Sequence, residues 1–190
     1  MGLQTEEQVQ QGKLNFVSIN NVTGKFRCEH VDYPGIVGDF LGFNSHSYEF
    51  QKADQKKLDI YLTDNGTVYQ VQFGFYTWIT LNILNCMSNI PSLGDGGKLK
   101  LTAVKDDNNQ RVYINWNSKP VKWFKTMEEL KISPIKDKQK KEAFRDKIID
   151  RFYELLFDKY PFDPQEAVPV QTDSEPEVKS TSEDDPDIPF

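Results

Sequence analysis

Residues 58–75 constrain the fold more than any other stretch. Leu58, Ile60 and Leu62 alternate with polar neighbours, Tyr69, Val71, Phe73 and Phe75 alternate again, and Asn65-Gly66 stands between the two runs. Period two turns successive side chains to opposite faces of a strand, and Asn-Gly accepts the positive φ angles of a tight primed turn, so the stretch predicts a β-hairpin with one buried face. Tyr61 is out of phase with Ile60 and Leu62 and is expected to face outward.

The remaining pattern extends this hairpin into a mainly β domain. Residues 14–19 and 24–31 read as earlier strands, with Phe26 and Cys28 alternating with Lys25 and Arg27. Residues 76–89 lose the alternation and space Ile79, Ile83 and Met87 four apart, as on one face of a short helix that ends before Pro91. A second hairpin follows. Leu99, Leu101 and Ala103 oppose Lys98, Lys100 and Thr102; after a polar loop, Val112, Ile114 and Trp116 oppose Arg111, Tyr113 and Asn115. Strands, hairpin, helix and hairpin in this order predict an OB-like five-stranded barrel with a helix between its third and fourth strands and extra strands at its N-terminal side. Residues 33–56 are not placed by this pattern, although Tyr48 and Phe50 alternate.

Charge divides the chain. The net charge is −6, but from Asp163 onward nine carboxylates face one base, Lys179, so that segment carries −8 and residues 1–162 carry +2. Residues 137–160 read as an amphipathic helix with Phe144, Ile148, Phe152, Leu155 and Leu156 as its apolar stripe, stopped by Pro161. It either packs on its own domain or serves a partner or a second copy of the chain. Beyond Pro164 apolar residues are too sparse to offset ordering entropy, which predicts a disordered acidic tail. The expected organisation is a flexible leader at 1–12, an OB-like domain at 13–135, the helix at 136–162 and the tail at 163–190. Two cysteines, no signal-like segment and no membrane-length apolar run lead to an expected cytoplasmic location.

The chain ends in Glu-Asp-Asp-Pro-Asp-Ile-Pro-Phe. This ending resembles the acidic tip of bacterial and phage single-stranded DNA-binding proteins, although Pro186 stands where the family usually has Asp. The resemblance implies that Ile188, Pro189 and Phe190 dock on replication or recombination proteins, with Asp184, Asp185 and Asp187 steering them towards basic surfaces. Physically, a partner can take the terminal ring in an apolar pocket and grip the neighbouring α-carboxylate with Arg or Lys.

Sequence-tolerant binding of single strands needs cations for phosphates and flat rings for bases. The residues that supply them on outward phases or in the interleaved run after the second hairpin are Lys25, Arg27, Tyr61, Lys98, Lys100, Arg111, Tyr113, Lys119, Lys122 and Trp123. Each also has a plainer reading: Lys98 and Lys100 as a solvated strand face, Tyr61 and Tyr113 as ordinary exposed strand tyrosines. Trp116 shares phase with Ile114 and reads as core rather than platform. The −8 tail and the basic body are expected to compete, with DNA displacing the tail.

Other chemistry is poorly supported. Cys28, His30, His46 and Cys86 lack the paired spacing of a structural zinc site, and residues 94–98 lack the Ser or Thr that a phosphate loop needs after its Lys. No nucleophile, base and carboxylate constellation is evident, so neither an enzyme nor a cofactor is expected. The alternative to a single-strand binder is an adaptor that acts without DNA, a phage replisome or virion protein working through its tip and C-terminal helix.

Overall fold

In the computed structural model, which describes residues 14–51, 53–106 and 109–164, the sheet is organised by one long strand. β4 (Gly35–Phe50) pairs antiparallel with β7 (Lys98–Asp106) through residues 35–39 and with β5 (Ala53–Asp64) through residues 39–50. Its two edges serve these different neighbours, and its register with β5 shifts between Phe40 and Gly42, where Leu41 is bulged out and the strand bends. Residues 33–56, unplaced by pattern, are therefore the end of β3, all of β4 and the start of β5. Short alternating runs hid them.

The other strands are β1 (Leu14–Ile19), β2 (Phe26–Cys28), β3 (Val31–Tyr33), β6 (Thr67–Gly74), β8 (Asn109–Trp116) and β9 (Lys119–Pro120). The order across the open, mixed sheet is β3-β2-β1-β6-β5-β4-β7-β8-β9. All pairs are antiparallel except β1 with β6, which run parallel with Val17 opposite Val71. The first predicted hairpin is β5–β6, turning through Asn65 (φ 49) and Gly66 (φ 80). The second is β7–β8, with Leu101 opposite Ile114 and Ala103 opposite Val112.

Helix α1 (Trp78–Met87) lies between β6 and β7, starting at Thr77, whose Oγ1 accepts from the Thr80 amide at 3.1 Å while its hydroxyl donates to the Gly74 carbonyl. The core joins the inward phases of the strands to Leu81, Ile83, Leu84 and Met87 of α1 and to Ile149, Phe152 and Leu156 of α2 (Lys138–Phe157). Thus α2 packs on its own domain. Of the expected stripe Phe152 and Leu156 are buried, but in the first half of the helix the buried positions lie one residue further on. Arg145, Ile149, Phe152 and Leu156 are buried, Phe144 and Ile148 are only partly so, and Leu155 is 55 % exposed.

After α2 the chain returns to the sheet. The Phe43 amide donates to the Tyr160 carbonyl at 2.9 Å and the Phe162 amide donates to the Phe43 carbonyl at 3.0 Å, so residues 160–162 take the β4 edge that β7 leaves unpaired. Gly42 permits this approach: a Cβ there would lie 2.7 Å from the Tyr160 carbonyl oxygen. Among the described residues no helix is long and apolar enough to cross a membrane. The leader before residue 14 and the acidic tail from residue 165 on, including Asp184, Asp185, Asp187, Ile188, Pro189 and Phe190, lie outside the described residues.

Candidate nucleic-acid interface

β8 has one strand-free edge over most of its length, because β9 covers only Asn115 and Trp116. Along that edge runs a groove of 890 Å³ walled by α1 on one side and by residues 120–127 on the other. Four of the sequence candidates meet here, Arg111 and Tyr113 from β8 with Lys122 and Trp123 from the far wall, and α1 adds Trp78. Tyr113 is 51 % exposed and lies opposite Thr102 on the outward face, as its phase requires.

Three asparagines on and just beyond α1 hold the far wall in place. Asn82 and Asn85 are three residues apart on one face of the helix, and Asn89 follows just past its C-terminal cap at Ser88. Asn82 donates to the Val112 carbonyl at 2.7 Å and its Oδ1 accepts from the Trp123 indole N–H, which fixes that ring against the β8 edge. Asn85 is fully buried; its amide donates to the Lys125 carbonyl at 2.7 Å and its Oδ1 accepts from the Lys125 N–H at 2.9 Å. Asn89 donates to the Lys122 carbonyl at 3.2 Å. A segment that carries Lys122, Trp123 and Lys125 is thereby held rigid without strand pairing, which lowers the ordering cost when a ligand binds. Among the described residues no carboxylate forms an ion pair with Lys100, Arg111, Lys119 or Lys122. These charges remain available to an anion.

The other candidates are placed less favourably. Tyr61 does oppose Ile60 and Leu62, but it is not an exposed platform: it is 1 % exposed, with the Phe162 ring at a centroid distance of 4.5 Å. Burial, then the nearby Asp59 and Asp163 carboxylates, push its phenol pKa well above the ordinary value. The covering residue lies far along the chain, where alternation within a strand carries no information. Arg27 is engaged by Asp32 at 2.7 Å, a contact that, with Thr23, holds the Asp32 carboxyl down to about 2. Lys98 lies 3.5 Å from Asp64 and 4.0 Å from Asp39. Lys25 is exposed beside β2, away from the groove, while Lys100 and Lys119 flank it, opposite Asn115 and Trp116 in the strand registers. The indole of Trp116 is half-buried and lies where any side chain at position 97 would sit, which makes it packing.

A second hollow, of 530 Å³ between β1–β3 and the start of β4, has Glu29 and Asp64 in its lining and neither Lys nor Arg, the wrong charge for a polyanion. The projecting β4–β5 arm carries two further exposed rings that the sequence reading left unassigned, Tyr48 and Phe50, with Lys57 Nζ 5.7 Å from the Tyr48 ring centre. His46 on that arm contacts Asp59 at 2.6 Å. Cys28, His46 and Cys86 belong to different elements, and among the described residues no three His, Cys, Asp or Glu side chains are placed to hold a metal ion. Burial pushes the Cys86 thiol up to about 11.

Known proteins supply no guide here. No family model matches the chain, and no match was found among curated proteins or solved structures.

Proposed function

We propose that this chain binds single-stranded DNA without strong sequence preference during replication, recombination or repair in the cytoplasm, and recruits partner proteins through its Ile-Pro-Phe tip. The observation that carries the reading is the groove along the β8 edge. It combines Trp78, Tyr113 and Trp123 with Arg111 and Lys122 in one trough, and stacking on such rings is worth about 1–3 kcal/mol per base whatever the base. The Asn-held wall keeps Trp123 oriented before DNA arrives. In this reading the chain binds and presents DNA and has no catalytic role.

The strand path supports an OB-like body. The run β6-β5-β4-β7-β8, with a helix between β6 and β7 and the longest strand shared by both halves, follows the OB order; β1 occupies the place beside β6 where a barrel would close on β8. The acidic ending supports the second half of the proposal, since a terminal ring beside carboxylates suits a basic, apolar pocket on another protein.

Intrinsic fluorescence tests the DNA-binding half directly. Titrating the protein with oligo-dT at several salt concentrations is expected to quench tryptophan emission, with an affinity that falls as salt rises, while duplex of equal length binds far less tightly. Unchanged emission together with no shift in oligonucleotide anisotropy at low salt would refute it and leave the DNA-independent adaptor as the better reading.

A further inference from the structure

The inward stripe of α2 changes chemistry part-way along the helix. Positions 138, 141, 145, 149, 152 and 156 are three or four apart and share a face. The last three, Ile149, Phe152 and Leu156, are buried in the core, but the first three are Lys138, Lys141 and Arg145. Where the stripe turns cationic it passes Trp78 at the groove: the Arg145 guanidinium carbon is 5.2 Å and Lys141 Nζ is 5.9 Å from the centre of the indole. Arg145 is only 9 % exposed and is tied to Asp146 at 2.7 Å, so it positions the ring rather than seeking an external anion. Lys138 is exposed and Lys141 half-buried, and neither forms an ion pair among the described residues. Core packing gives no reason for ammonium groups at these two places. A polyanion passing the Trp78 ring does.

We infer that the cationic half of α2 is a phosphate track that continues the groove: a single strand whose bases stack along β8 runs on past Trp78 with its phosphates against Lys138 and Lys141. The inference rests on the single-strand reading of the groove and adds a second element to it. Lys140 and Lys147 lie on the opposite face of the same helix, are exposed, and belong to no track. They provide a control of equal charge.

The test uses the full chain and fluorescently labelled oligo-dT, with anisotropy titrations over a salt series. Each phosphate contact on a single strand contributes about 0.7 to the slope of log K against log salt, so the Lys138→Gln/Lys141→Gln variant is expected to lower that slope by about 1.4. The Lys140→Gln/Lys147→Gln variant is expected to keep the parental slope, with both variants retaining the parental melting temperature. Parental slopes in both variants, or equal losses from both, would overturn the track while leaving the groove in place. Failure of the unaltered protein to bind the oligonucleotide at low salt would overturn the groove reading and the track with it.

Discussion

Replacing Phe162 with Ala should expose the most deeply covered tyrosine of the sheet and report on the strap that covers it. Phe162 is half-buried and its ring lies tilted against that of Tyr61 at 4.5 Å, with Tyr61 1 % exposed. Truncating a fully buried Phe to Ala costs about 3–5 kcal/mol; half-burial brings that to about 2 kcal/mol, including about 0.5–1.5 kcal/mol for the ring pair. The backbone hydrogen bonds of residues 160 and 162 to Phe43 survive the change. A domain of this size loses about 2–4 °C of melting temperature per kcal/mol, so a fall of about 4–8 °C is expected by calorimetry or circular dichroism. The same variant carries a spectroscopic signature. With water admitted, the Tyr61 phenol, now held well above its ordinary value by burial first and by Asp59 and Asp163 second, should ionise at lower pH in an ultraviolet absorbance titration. Because the folded state raises this pKa, its stabilising effect is complete below the unfolded value near 10 and is lost as pH climbs further, so the parental protein should also be more alkali-sensitive in proportion. An unchanged melting temperature with an unchanged tyrosine titration would refute the assignment of Phe162 as the cover.

The asparagine pair predicts that Asn85→Ala costs about 1–3 kcal/mol in urea denaturation, since it removes two part-buried hydrogen bonds to the Lys125 backbone at about 0.5–1.5 kcal/mol each. The same variant should weaken oligo-dT binding, and a fully stable Asn85→Ala protein would show that the wall is held some other way. Deleting residues 163–190 removes a net −8 and should tighten single-strand binding most at low salt; equal affinities there would count against competition between tail and body.

Much of this architecture could be read where contacts are local. The alternations at 58–75 and 98–117 identify both hairpins, because a half-buried strand writes its two faces directly into successive residues. Long-range coverage is another matter. Tyr61 is outward in phase yet buried, since what covers it arrives after α2, and β4 was obscured because its bulge at Leu41 breaks the alternation midway. In α2 the second half of the stripe, Phe152 and Leu156, was legible, while the first half lies one residue further on: Arg145 occupies an inward place that composition assigns to solvent. The groove was half legible. Arg111, Tyr113, Lys122 and Trp123 meet as their phases and spacing suggested, whereas Trp78 was passed over as one more residue of a short helix. Asn82, Asn85 and Asn89 at helical spacing were the available signal for the wall.

The pairings that join β1 and residues 160–162 to the sheet also set a timetable for its synthesis. β1 leaves the ribosome early but cannot find its parallel partner until β6 has followed it, and the β4 edge at Gly42 and Phe43 stays open until residues 160–162 emerge. For most of translation the nascent chain therefore displays an unpaired strand edge, the kind of surface that recruits a neighbouring chain into intermolecular sheet. Fragments ending between residues 121 and 159 should accordingly aggregate on expression even though every strand of the sheet is encoded in them.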